Sequence, residues 1–304
     1  MGVDASPILV TGATGRVGRL VVDELLRAGV PVRALARRPE HAALPAGVDV
    51  VAGDLTVPAS LDAAIRDVSA VFLVGTTTAA TAPAVIARLA APADSRRVVY
   101  LSAPFRTPHP FFQQPNPMRD LHAEIECLLA DSGLDIAILR PGMFASNALR
   151  WWAPQIRQGD VVRWPYEAVE TAPIDERDIA AVAARALLDD RYANADWVLT
   201  GPASLSHGAQ VRAIGDAIGR EIRFEELTPD EFRRDAAATW SAAAEMLLAA
   251  WRASLGLPAF VTTVVQDILG VPARSFSRWA ADNAGAFERP VAGIQQSLRS
   301  GDRS

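Results

Sequence analysis

The sequence predicts an α/β fold, a doubly wound parallel sheet with a smaller, mostly helical C-terminal lobe. Three observations carry the prediction. An apolar run near the N-terminus breaks into three spaced glycines; short apolar runs then alternate with amphipathic stretches as far as residue 142; beyond it the rhythm gives way to aromatic, proline-bearing and alanine-rich sequence. Strands alternating with helices require right-handed crossovers and a parallel sheet covered on both faces.

The first strand and its turn lie in Ile8 to Gly18, I-L-V-T-G-A-T-G-R-V-G, with glycines at Gly12, Gly15 and Gly18. The following helix, Arg19 to Ala28, carries Leu20, Val21 and Leu25 on one face, and a second strand follows at Val32 to Ala36. Strand, glycine turn and helix in this order make the dinucleotide-binding context of a Rossmann-type fold. The glycines let backbone approach a pyrophosphate, and the helix points its unpaired amides at it. Gly12, Thr14, Gly15, Arg16, Val17 and Gly18 are therefore candidate cofactor contacts. Arg37 and Arg38 end the second strand, about twenty residues past the last glycine, where an NAD-selective fold places an acid on the ribose 2'-hydroxyl. A guanidinium suits a 2'-phosphate instead, so the expected cofactor is NADP(H).

Residues 48–54, V-D-V-V-A-G-D, read as the third strand, followed by a helix at Ser60–Val68 and a strand at Ala70–Val74. A helix at Ala82–Ala91, a strand at Val98–Ser102, a helix at Arg119–Asp131 and a strand at Asp135–Leu139 continue the pattern. Ligands in such sheets lie beyond the carboxyl ends of the strands, which places Gly12, Arg37, Asp54, Leu55, Gly75, Ser102 and Pro141 around one crevice. A helix at Asp175–Asp189 and a strand at Trp197–Thr200 return to the core. The predicted core is thus residues 1–142, completed by about 176–200, with the lobe built from 143–175 and 201–287. The polar, aperiodic tail 288–304 is expected to be disordered.

With 304 residues, half of them hydrophobic and 21% charged, the composition is that of an ordinary globular protein. No apolar run reaches transmembrane length, and the N-terminus has no basic and apolar pair of regions, so a cytoplasmic location is expected. A net charge of -5 offers no basic footprint for nucleic acid. Cys127 is the only cysteine and reads as core filling beside Ile125, Leu128 and Leu129. No histidine pair has metal-ligand spacing, and no metal is expected. His41 and His207 read as surface or capping residues. All thirty basic residues are arginine, so chemistry that needs a lysine is excluded.

Several stretches together resemble the atypical short-chain dehydrogenase/reductase superfamily, and within it the NmrA-like branch, which includes NADPH-quinone reductases and nitrogen-regulatory proteins. They are T-G-A-T-G-R-V-G at 11–18, G-D-L at 53–55, S-G-L-D-I-A-I-L-R-P-G-M-F at 132–144, P-I-D-E-R-D-I-A at 173–180 and I-L-G-V-P-A-R-S-F at 268–276. The resemblance implies that Pro141 and Gly142 lie beside a nicotinamide. It also exposes a departure: the tyrosine and lysine of classical members register on Met118 and His122, and neither can do the inherited job. Ser102 falls near the place of the family's catalytic serine.

His122 is then the candidate proton donor, since imidazole titrates near neutrality. An ordinary helix-surface pair with Glu126, four residues on, explains it equally. Phe105, Phe111, Phe112, Phe144, Trp151, Trp152, Trp164 and Tyr166 fall in segments expected to border the crevice, suggesting a flat, apolar or aromatic small-molecule substrate, although roughly half of such residues should be core. The run 241–251 has a broad apolar face and suits lobe core or a homodimer interface. The expected activity is hydride transfer to a quinone, enone or similar carbonyl compound, which stabilises its own anion and needs no strong acid. Two alternatives stay open: a non-catalytic NADP(H) sensor, and a non-redox natural-product tailoring enzyme.

Overall fold

The computed structural model describes residues 6–75, 77–91 and 96–289, the side chains of 236–242 excepted. Seven parallel strands form the main sheet: β1 (Ile8–Val10), β2 (Val32–Ala36), β3 (Asp49–Ala52), β4 (Ala70–Val74), β5 (Arg97–Leu101), β6 (Asp135–Pro141) and, after a small pair β7 (Val161–Pro165) and β8 (Glu170–Thr171), β9 (Asp196–Leu199). Their spatial order is β3-β2-β1-β4-β5-β6-β9. The order reverses between β1 and β4, which opens a crevice at their carboxyl ends.

Helices cover both faces. Helix α1 (Arg16–Arg27) buries Val17, Val21, Val22 and Leu25, each worth about 1.5–3 kcal/mol when fully removed from water, and packs against α6 (Glu176–Leu188) in one layer. The opposite layer holds α2 (Ala82–Ala90) and α3 (Pro117–Ala130), with Val85, Ile86, Leu89, Ile125 and Leu129 in its core. Alternation along β5 divides its residues between the layers. Val98 and Tyr100 join the α2 and α3 side, whereas Val99 and Leu101 join the α1 and α6 side.

The helix expected at Ser60–Val68 does not form. Pro58–Leu61 is one 3-10 turn, followed by further turns. Leu61, Ala64, Ile65 and Val68 are nevertheless buried. Arginines from neighbouring elements hold the carbonyls of this segment: Arg96 donates to Ile65 and Val68, and Arg33 to Ala64 and Arg66. The helical period is satisfied by burial without the helix.

The lobe comprises α4 (Asn147–Trp151), α5 (Ala153–Ile156), β7, β8, β10 (Leu205–Ser206), α7 (His207–Ala217), β11 (Arg223–Leu227), α8 (Pro229–Ala253) and α10 (Phe276–Asp282). Two short pairs, β7 with β11 and β8 with β10, add sheet to what the sequence reads as mostly helical. Helix α9 (Val264–Leu269) lies within the range assigned to the lobe, yet Val265 and Ile268 pack in the α1 and α6 layer of the main core. In α8, Ala244, Leu248 and Trp251 enter the lobe core, whereas Met246, Leu247 and Ala250 of the same run face a cleft. Of the expected tail, 290–304 lies outside the described residues. Cys127 is exposed on the outer face of α3, a correction to its reading as core. His207 is fully buried, its side chain turned into the lobe just after the N-cap Ser206.

Candidate nucleotide crevice and active site

The chain leaves β1 through Gly12, whose φ of 60° is left-handed, and Gly15 occupies the N-cap of α1. Gly15 donates its backbone N–H to the Gly12 carbonyl at 2.9 Å. A Cβ on Gly18 would sit 2.1 Å from that same carbonyl oxygen, so only glycine lets the first turn of α1 press against the loop. Helices α3, α6, α7, α8 and α10 are each capped by a side chain, from Asn116, Asp175, Ser206, Thr228 and Ser275 respectively. Helix α1 has neither a capping side chain nor an acidic residue in its first turn. Its leading amides are left for an anion, and helix polarity adds attraction. Helix α1 begins at Arg16, three residues before the sequence reading, so Arg16, Val17 and Gly18 supply these amides. Val17 offers only its backbone, because its side chain is 6% exposed in the core.

The rim is held from several directions. Arg19 folds back to donate to the carbonyls of Thr14, Ala42 and Ala43, tying the glycine turn to the segment after β2. Thr11 bridges β1 and β4, donating to the Phe72 carbonyl and accepting from the Val74 N–H. Arg37 and Arg38 are exposed at the end of β2. Asp54 accepts from the Thr56 N–H and hydroxyl, which together with the charge of Arg37 hold its carboxyl below the usual range. Leu55 is 4% exposed and packs in the α2 and α3 layer, which leaves only its backbone for a ligand. The glycine cradle, uncapped helix and exposed arginines fit a dinucleotide with a phosphorylated ribose.

Further along the same edge, Gly75, Tyr100 and His122 come together. Tyr100 Oη lies 2.6 Å from His122 Nδ1. A Cβ on Gly75 would meet the Tyr100 hydroxyl at 3.0 Å and His122 Cε1 at 3.4 Å. Burial pushes the His122 imidazole below its ordinary pKa, with the nearby Glu126 charge opposing, and burial raises the Tyr100 phenol. Both groups are neutral at pH 7.

Glu126 corrects the surface-pair reading. It is 2% exposed and accepts from Ser102 Oγ at 2.5 Å and from Arg140 Nε and a terminal nitrogen at 2.9 and 2.7 Å, while Arg106 approaches at 3.3 Å. Ser102 thus has its hydroxyl proton committed to Glu126. Arg140 also pairs with Asp196, and the Phe105 ring lies 5.7 Å from the guanidinium carbon of each of Arg106 and Arg140.

Beside this network opens an apolar cleft of about 160 Å³, lined by Phe105, Phe111, Phe112, Met118, Met143 and Met246 among others. Every methionine after Met1 lines it. A smaller neighbouring cavity shares Phe111, Phe112 and Met143 and reaches Gly142, whose N–H is held by the Leu199 carbonyl after Pro141 ends β6. Of the aromatic residues selected from sequence, Phe105, Phe111 and Phe112 line the cleft. Trp151, Trp152 and Trp164 do not; at 9, 0 and 4% exposed they pack together in the lobe core, Trp151 stacked on Trp164 and both edge-on to Trp251. Phe144 pairs with Ile174 and packs against the main core. Sequence reasoning missed Tyr100, Arg140 and the methionines. The signal for Tyr100 was its place two residues before Ser102, on the same face of β5. Among the described residues no cluster of His, Cys, Asp and Glu could hold a metal, and no helix is long and apolar enough to cross a membrane.

Sheet order, glycine turn and crevice define a dinucleotide-binding fold. The chain belongs to the NAD(P)H-binding family, whose model matches residues 12–190, and it is an NAD(P)H-dependent oxidoreductase. It is 40% identical over 283 residues to the (4-alkanoyl-5-oxo-2,5-dihydrofuran-3-yl)methyl phosphate reductase of Streptomyces griseus, covering 92% of this chain and 99% of the relative. To the NAD(P)H azoreductase of Xenophilus azovorans it is 32% identical, with 92% and 99% covered. An NADPH-dependent quinone oxidoreductase from Escherichia coli shares the fold at TM-score 0.74 and 23% identity, over 90% of this chain and 98% of that one. The NADP(H)-complexed triphenylmethane reductase of Citrobacter shares it at TM-score 0.75 and 18% identity, over 91% and 99%.

Proposed function

We propose that this chain reduces a conjugated carbonyl compound, an enone, unsaturated lactone or quinone with apolar substituents, at the expense of NADPH. The observation that carries the reading is an apolar, methionine-lined cleft beside an edge where, among the described residues, burial holds both the Tyr100 phenol and the His122 imidazole in their neutral forms. There is no lysine, the Tyr100 phenol is raised, and the His122 imidazole is neutral. An alkoxide formed from an unactivated ketone would need a positioned acid. A conjugated acceptor takes hydride at carbon and spreads the charge to oxygen, so a hydrogen bond suffices until water supplies the proton.

When bound, the reduced nicotinamide supplies the hydride; the chain supplies binding, orientation and polarity. The α1 amides hold the pyrophosphate, and Arg37 and Arg38 hold a 2'-phosphate. Met118, Met143 and Met246 adapt to the shape of an apolar substrate, as flexible thioethers do. Neutral His122 donates a hydrogen bond to the developing oxyanion. The Streptomyces griseus relative is named for an alkanoyl-substituted 5-oxo-2,5-dihydrofuran, a ring of this conjugated class, which supports the choice.

The test follows NADPH absorbance against enones, acyl-substituted unsaturated lactones, quinones and simple ketones. Turnover of the conjugated members and none of the simple ketones is expected, with His122→Ala lowering kcat about 100-fold, the usual loss for one oxyanion donor. Nucleotide binding without turnover of any compound would overturn the reading in favour of a sensor.

A further inference from the structure

The bond between Tyr100 and His122 has a direction that burial decides. Tyr100 is 0% exposed on β5, and its hydroxyl has one hydrogen-bond partner among the described residues, His122 Nδ1 at 2.6 Å. A buried hydroxyl that donates to nothing costs about 1–3 kcal/mol. Were Nδ1 to carry the ring proton, the phenol would be left in that state. The phenol therefore donates, Nδ1 accepts, and the imidazole proton resides on Nε2. Gly75 lies beside the pair, and its missing side chain leaves room for the hydroxyl and for Cε1. Glu126, one helical turn along α3, is spoken for by Arg140, Arg106 and Ser102 and does not compete for the imidazole.

We propose that Tyr100 is the positioning residue of the site: its hydroxyl locks His122 in the Nε2–H tautomer and aims that N–H, as a neutral donor, along the edge that begins at Gly75. This deepens the reductase reading above, since the donor it orients is the one assigned to the oxyanion. It also explains why a tyrosine survives in this chain away from the position where classical family members carry their acid. The tyrosine acts one step back, through an imidazole, and never surrenders its own proton.

The test uses nitrogen-15 histidine-labelled protein with NADPH bound, compared with Tyr100→Phe, which keeps the ring and removes the hydroxyl. The wild-type His122 spectrum should show a single Nε2–H tautomer, and Tyr100→Phe should show a mixture, with kcat for the best conjugated substrate down about tenfold, the scale of losing an orienting partner. The Kd for NADPH should not change. An Nδ1–H tautomer in the wild-type protein overturns the proposal without any variant having to fold. So does a Tyr100→Phe protein whose tautomer and kcat match wild type. If the wild-type protein turns over no substrate while the tautomer is Nε2–H and shifts in Tyr100→Phe, the reductase reading fails and the orientation by Tyr100 stands.

Discussion

Glu126→Ala probes the buried network that joins α3 to β5 and β6. Glu126 and Arg140 have side chains 1 and 2% exposed, so the substitution leaves a guanidinium in the interior without its bidentate partner. Losing one member of a buried pair costs about 3–5 kcal/mol. Asp196, half exposed, still pairs with Arg140 and brings the cost toward the lower end. Ser102 loses its acceptor as well, which adds about 1 kcal/mol. The expected loss is therefore about 4 kcal/mol, read as a shift in the urea midpoint at constant slope. Glu126→Leu combined with Arg140→Met removes both charges and should recover most of that loss, since apolar replacement of a buried pair is often neutral. A loss below about 1 kcal/mol for Glu126→Ala, or a double variant worse than the single, would refute the assignment of Glu126 as the buried counter-charge.

Gly18→Ala would place a methyl group against the Gly12 carbonyl, with backbone on both sides, and should weaken NADPH about 100-fold by calorimetry; unchanged affinity would mean that the loop is not the pyrophosphate site. Arg37→Ala with Arg38→Ala should raise the Kd for NADPH about 10- to 100-fold and leave that for NADH within about twofold, and equal losses for both would remove the 2'-phosphate role. Burial holds His207 at about 4, against about 6.5 in an unfolded chain. As pH falls from 6.5 toward 4 the unfolded state takes up the proton first, so stability is lost across that window, about 2 kcal/mol between pH 7 and 5. Urea midpoints at the two pH values should show this in the wild-type protein and lose it in His207→Gln; an equal slope in both would assign the acid sensitivity elsewhere.

Features encoded within one local stretch were legible in the sequence. Gly12, Gly15 and Gly18 demand a tight turn wherever the chain runs, because the residues of a turn are neighbours along the backbone. The alternation of strand and helix likewise required a parallel sheet, and with it the edge where Gly75, Ser102 and Pro141 end their strands. Helix geometry alone says that His122 and Glu126 share a face. Only the packing of α3 against β5 and β6 decides that the face is buried, that Tyr100 meets the imidazole and that Arg140 meets the carboxylate. The same holds for the tryptophans, which composition could assign equally to a ligand or to a core. Their segments are joined by β7, β11 and α8 into the lobe's interior, and the wall of the cleft passes to methionines from three distant parts of the chain. Contacts between residues far apart in sequence depend on helix phase and strand order together, and that joint constraint exists only once the chain has folded.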